Sequence, residues 1–174
     1  MEHGGWFPVL KVAKVVCYGI GFVLADSLRK KVRLMNVVEG SLAATIVVAD
    51  DYFEWRGKVR EILNQHPDWR IVGDASDGWE AVERASSPQP DIIILDIGLP
   101  QMNGIDAARL IRKNCPQTKI VFLSQQTDRD VIEAALAAGG TAFVLKSSAA
   151  RDLPIAMVSA LHAAPVAIPS WPPN

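Results

Sequence analysis

Residues 91–96 read DIIILD, four aliphatic side chains in a row closed at each end by an aspartate. A strand with one wet face alternates apolar and polar residues, whereas an unbroken run is what a strand buried on both faces carries. Such a strand sits in the middle of a parallel sheet with helices above and below it. Reading outward from it, similar apolar runs recur at residues 45–49 (TIVVA), 70–74 (RIVGD), 119–123 (KIVFL) and 141–145 (TAFVL). The stretches between and after them predict helices over 52–65, 77–86, 103–114, 127–138 and 151–162. In the first of these, Tyr52, Trp55, Val59, Ile62 and Leu63 recur at roughly helical spacing, with Arg56, Lys58, Arg60 and Glu61 on the other side. Five strand–helix units in about 120 residues make an α/β fold with helices on both faces of a parallel sheet. Pro154 is expected near the start of the last helix, where a missing N–H costs little.

The chain has 174 residues, enough for one ordinary domain and a tight fit for two. With 49% apolar and 21% charged residues, its composition is globular rather than disordered or fibrous. A net charge of −1 argues against a general grip on nucleic acid, which needs a basic surplus. Cys17 and Cys115 are far apart and lack metal-ligand spacing, so they read as reduced thiols in a cytoplasmic chain. Three zones separate along the sequence: an extension over 1–43, the regular domain over 44–163, and a tail over 164–174 whose four prolines oppose a helix.

In a parallel α/β sheet, ligands gather where the strands end. The first predicted strand runs into Asp50 and Asp51, the third into Asp96, the fourth into Ser124 and the fifth into Lys146. Three carboxylates, a hydroxyl and an ammonium therefore converge on one rim. An isolated aspartate there is more often a turn or helix cap, and for Asp50 alone that reading is favoured. The set together means more. Three carboxylates held close repel unless a cation joins them. A few hard oxygen ligands suit Mg²⁺ with retained waters better than a caged Ca²⁺ or a soft metal. The ion would leave room for an incoming phosphoryl group, whose other oxygens would meet Lys146 and the Ser124 hydroxyl. Transfer of this kind needs mainly positioning and charge neutralisation.

Asp50–Asp51, LDIGLPQMNG at 95–104, FLSQ at 122–125 and AGGTAFVLKS at 138–147 together resemble the receiver domain of two-component response regulators. The resemblance implies a doubly wound, flavodoxin-like five-stranded sheet of order 2-1-3-4-5. It implies Asp96 as phosphoacceptor and Asp51 as a direct Mg²⁺ ligand, with Asp50 acting mostly through water and the Gly98 carbonyl as a further ligand. Lys146 would pair with the phosphoryl group, Ser124 would be the switch hydroxyl, and Phe143 the switch aromatic that turns inward. Pro100 and Gly104 would shape the loop after Asp96. The wording around Lys146 is closest to the subgroup that carries a carboxy-terminal helix-turn-helix. Only a dozen Pro-rich residues follow the last helix, so no direct contact with nucleic acid is expected. Gln125 stands where many receivers have a small residue, which bears on access to the pocket. Ser147 replaces a frequent proline.

The implied function is a switch that accepts a phosphoryl group on Asp96 from a histidine kinase or phosphotransfer protein, and catalyses only its own phosphorylation and dephosphorylation. Its output would run through protein contacts or a homodimer on the face of the fourth helix, fifth strand and fifth helix, where Arg129, Asp130, Glu133, Arg151 and Asp152 lie. Three rival readings stay open. They are a phosphorylation-independent interaction module, the receiver part of a truncated transcription regulator, and, last, a small Mg²⁺-dependent phosphatase. Phe143 alone would read as core, His66 and His162 as surface, and Trp55 and Trp79 as core cover or docking face. The extension holds an uninterrupted apolar run of 11 residues over 15–25, short of the roughly 20 that span a bilayer. A later natural start, near Met35, ranks ahead of a weak membrane anchor, and a signal peptide comes last.

Overall fold

The computed structural model describes residues 43–162; the readings made for the extension and the tail lie outside them. Strands β1 (Ala44–Ala49), β2 (Trp69–Ala75), β3 (Ile92–Leu95), β4 (Lys119–Ser124) and β5 (Ala142–Leu145) alternate with five helices. These are α1 (Phe53–Leu63), α2 (Gly78–Ser86), α3 (Gly104–Asn114), α4 (Arg129–Ala137) and α5 (Ala149–Leu161). All strand pairs are parallel and the order is β2-β1-β3-β4-β5. The fold is the doubly wound receiver architecture expected from the sequence.

The IIIL run is β3, and every residue of it is buried. Successive side chains of a strand point to opposite faces, and the two cores divide accordingly. Ile92 and Ile94 join Ile46, Val48, Val121 and Leu123 against Val59 and Leu63 of α1 and Leu153, Ala156, Met157 and Ala160 of α5. Ile93 and Leu95 join Val47, Ile120 and Phe122 against Ala81 and Ala85 of α2, Ala107, Ala108 and Ile111 of α3, and Ile132 and Ala135 of α4. Alanine dominates the helix side of this second core, which lets those helices lie close to the sheet.

Local chemistry starts each helix on the second face. The side chains of Asp77, Asn103 and Asp128 accept from the backbone N–H groups of Glu80, Asp106 and Asp130, which fills part of the unpaired donor set of a helix start. The fifth helix departs from the expectation. A 3₁₀ turn over Lys146–Ser148 follows β5 directly, and α5 begins at Ala149. Pro154 is therefore the sixth residue of the helix rather than part of its opening turn. Its missing N–H leaves one helical carbonyl, that of Ala150, without its usual donor. The two extra residues are not visible in the sequence because SSAA carries no strong start signal.

Leu153 is fully buried while Val158 on the same helix is 47% exposed. Leu153→Ala is expected to lower unfolding stability by about 2–5 kcal/mol, and Val158→Ala to change it by no more than about 0.5 kcal/mol. Gly57, inside α1, has nothing within 4 Å of where a Cβ would sit. Gly57→Ala is thus expected to stabilise by roughly 0.5–1 kcal/mol. Urea denaturation of the three variants measures all three effects.

Candidate functional site

Ala49 pairs with Leu95 in the register of β1 and β3, so Asp50 and Asp96, each one residue further on, leave the sheet side by side. Lys146, directly after β5, reaches back across the strand ends to both. Its Nζ lies 2.6 Å from Asp50 Oδ2 and 3.1 Å from Asp96 Oδ2. The three side chains are 3%, 3% and 9% exposed for Lys146, Asp50 and Asp96, so water screens them little. Ions in that setting persist only when paired and hydrogen-bonded, and here each one is.

The second oxygen of each carboxylate is also used. Asp50 Oδ1 accepts from the Tyr52 N–H at 3.0 Å, at the entrance to α1, whose own cap residue makes no side-chain cap bond. Asp50 is thus both a helix-start acceptor and a site residue, one oxygen for each task. Burial pushes its carboxyl above the usual range, against the hydrogen bond from Lys146, the Tyr52 amide and the charge of Lys146. Asp96 Oδ1 accepts from the Ile97 N–H at 2.8 Å. Asp51 differs: it is exposed, and its carboxylate has no hydrogen bond or ion pair among the described residues. One oxygen from each of Asp50, Asp51 and Asp96 lies within 4.8 Å of the other two. Three carboxylates against one buried ammonium leave a formal surplus of two negative charges, which suits a divalent cation.

The loop after Asp96 is fixed by two close approaches. The Gly104 N–H donates to the Ile97 carbonyl at 2.9 Å, and a Cβ on Gly104 would fall 1.9 Å from the Asp96 carbonyl oxygen. On its other side, a Cβ on Gly78 would fall 2.0 Å from the Met102 carbonyl oxygen. Gln101, held at a φ of 62°, donates from Nε2 to Asp77 Oδ2 at 3.0 Å. The phosphoacceptor candidate therefore leads into a loop braced against the start of α2.

The remaining expected residues take separate places on the same edge. Gly98 is exposed, and a Cβ there would stand 3.5 Å from Asp96 Oδ2, so the approach to that oxygen is uncrowded on this side. Ser124 is buried, and its Oγ accepts from the Gln126 N–H at 3.5 Å, within its own loop. Gln125 is exposed. Phe143 is buried against Phe122, with ring centroids 6.4 Å apart, as part of the core on the second face.

The family model for the response regulator receiver domain matches residues 46–158. The chain belongs to this family. The nitrate/nitrite response regulator NarL of Escherichia coli K12 is 34% identical over 121 residues, 70% of this chain and 54% of NarL. The transcriptional regulatory protein DegU of Brevibacillus brevis is 34% identical over 108 residues, 62% of this chain and 46% of DegU. The chain spans about half the length of these curated relatives. Among solved structures, the response regulator domain of Thermotoga maritima CheB superposes with a TM-score of 0.62 at 31% identity, covering 73% of this chain and 99% of that one. A LuxR-family response regulator from Aurantimonas gives a TM-score of 0.69 at 28% identity, covering 73% of this chain and 91% of that one.

Two contacts of the receiver site were not foreseen from the sequence. Arg56 donates from its guanidinium to the Asp50 carbonyl, and the Trp55 ring lies beside Lys146, Nζ to centroid 5.3 Å. The helical spacing of Trp55 gave it a core-cover or docking-face reading and did not name Lys146 as its neighbour. Nothing in the sequence pointed to the Arg56 bond. From the geometry of the loop, Gly104→Ala is expected to cost about 1–3 kcal/mol through forced backbone shifts. Urea melts of that variant beside Gly57→Ala, of opposite expected sign, measure it.

Proposed function

We propose that this receiver domain, over residues 44–163, is a signalling switch that accepts a phosphoryl group on Asp96 from a histidine kinase or phosphotransfer protein. The observation that carries the reading is the buried Asp50–Lys146–Asp96 set with exposed Asp51 beside it. In the transfer, an Asp96 carboxylate oxygen forms a bond to phosphorus as the phosphorus–nitrogen bond of a phosphohistidine breaks and the imidazole leaves. Lys146 is placed to trade its contact with Asp96 Oδ2 for a phosphoryl oxygen while its bond to Asp50 keeps it in the site. The Ile97 amide holds the other Asp96 oxygen and orients the carboxylate. Ser124, at the end of the neighbouring strand, would give up its bond to the Gln126 amide and turn its hydroxyl to the group. Phe143, already inside, would fill the space behind it as the switch aromatic.

The donor set fits Mg²⁺: all-oxygen, carboxylate-rich, and with Asp51 unengaged and open to solvent. Asp51 and Asp96 would bind the ion directly, Asp50 mostly through water, and the Gly98 carbonyl would complete the protein's share. When bound, the ion supplies charge neutralisation between the carboxylates and the phosphoryl oxygens. On this reading the domain would catalyse only its own phosphorylation and dephosphorylation.

Output would pass through protein contacts, with a homodimer on the α4–β5–α5 face as one form of it. Four of the five charges named on that face are paired within their own helices, Arg129 with Glu133 at 2.7 Å and Arg151 with Asp152 at 2.7 Å. Exposed pairs of this kind contribute little to stability and are free to exchange partners. A cytoplasmic location fits a kinase partner, and no helix among the described residues is long and apolar enough to cross a membrane.

Acetyl phosphate with Mg²⁺ is expected to add one phosphoryl group to the wild type and none to Asp96→Asn, read by intact mass. Equal labelling of the two would sink the proposal. Mg²⁺ alone is expected to raise the melting temperature of the wild type, since an ion that binds only the folded state stabilises it. Asp51→Asn is expected to lose most of that rise, and chelation to abolish it.

A further inference from the structure

We propose that Trp55 is a positioning residue that holds Lys146 for phosphoryl transfer, its indole face serving as the third contact of the buried ammonium. The inference rests on the reading of Asp96 as phosphoacceptor. An ammonium carries three N–H donors. Two are taken by Asp50 Oδ2 at 2.6 Å and Asp96 Oδ2 at 3.1 Å. With only 3% of the side chain exposed, water is a poor third partner. The Trp55 ring, its centroid 5.3 Å from Nζ, stands within the range of cation–π attraction, which is strongest for tryptophan and for a desolvated cation.

The ring is itself held in place. Trp55 is half-buried and packs against the core between the sheet and α1 and α5. Lys58, further along the same helix, sets its own Nζ 4.6 Å from the same centroid. Because α1 starts directly after the Asp50–Asp51 pair and Tyr52, the ring is fixed to the segment that carries two of the three carboxylates. This choice of third partner has a mechanical consequence. Accepting a phosphoryl oxygen requires Nζ to exchange a carboxylate contact for a phosphoryl one and to shift as it does so. A hydrogen-bonding partner is directional and would resist that shift. A ring face is attractive over a broad area and follows the ammonium through the exchange. An ordinary core aromatic would do none of this, and any apolar side chain of similar reach would replace it.

The test compares initial rates of labelling by acetyl phosphate and Mg²⁺ in the full chain for wild type, Trp55→Phe, Trp55→Leu and Trp55→Met, with folding checked by circular dichroism. Methionine is carried alongside leucine because it fills irregular gaps, so that one apolar variant remains if the other does not fold. The apolar variants are expected to label roughly three- to thirty-fold more slowly, the span of a lost cation–π contact. Trp55→Phe, which keeps a ring face, is expected to recover most of the rate. A second readout is independent of labelling: the Lys146 ε-methylene protons should show a ring-current shift in wild type that the apolar variants lose. Folded apolar variants that label as fast as wild type overturn the proposal alone, as does a phenylalanine variant no faster than they are. A wild type that takes no label on Asp96 overturns the phosphoacceptor reading and this proposal with it.

Discussion

One ammonium between two carboxylates, all three out of water, is the interaction on which the rest of this site depends. Desolvating each ion costs several kcal/mol, and only close mutual pairing offsets it. Lys146 therefore cannot leave without stranding Asp50 and Asp96 as uncompensated buried charges, and neither carboxylate can move far without stranding the lysine. The three residues come from β1, β3 and β5 ends that the sequence separates widely. Their meeting requires the parallel order in which β1 and β3 are neighbours and β5 lies two strands beyond β3. The topology supplies the approach; the charge pairing fixes the distances.

The same constraint governs the loop behind Asp96. A carboxylate that must be held at one orientation needs a backbone that does not drift, and two glycines give it one. Gly104 brings the start of α3 against the Asp96 carbonyl, and Gly78 brings the start of α2 against Met102 in the same loop. Neither approach leaves room for a Cβ. Preorganisation of this kind, whose conformational entropy is lost at folding, means that little has to be rearranged when charge develops at the site. Phe122 and Phe143 pack on one side of the sheet, and Trp55, whose ring lies beside Lys146, belongs to the other.

Much of this was legible in the sequence, and the reason is periodicity. The unbroken IIIL run fits a strand covered on both faces, and the ends of the strands then pointed to Asp50, Asp51, Asp96, Ser124 and Lys146, to which the family resemblance gave expected roles. What stayed hidden depended on distance rather than on pattern. That Asp50 spends one oxygen on the Tyr52 amide and the other on Lys146 follows from how β1 turns into α1. Trp55 read equally well as core cover or docking face, because helical spacing gives the face of a residue and not its neighbour across the chain. The early start of α5 was hidden for a related reason: Lys146 itself folds into the 3₁₀ turn that leads into the helix, and that turn follows from tertiary placement rather than from local propensity.

The 3₁₀ turn links the site to the surface. Lys146 is the residue after β5, the first residue of the turn, and three positions before the first residue of α5. Its side chain is anchored at the charged rim while its backbone belongs to the segment that launches the helix. The Lys146 carbonyl also accepts from the Ala149 N–H, which ties the turn to the helix start. A change in what the ammonium grips is therefore applied to a short, tightly wound connection rather than to a slack loop. Since packed elements shift between discrete arrangements more readily than they deform, this connection is where a change of charge at the rim has the shortest covalent path to the exposed side of α5, where Ile155 and Val158 lie open to solvent.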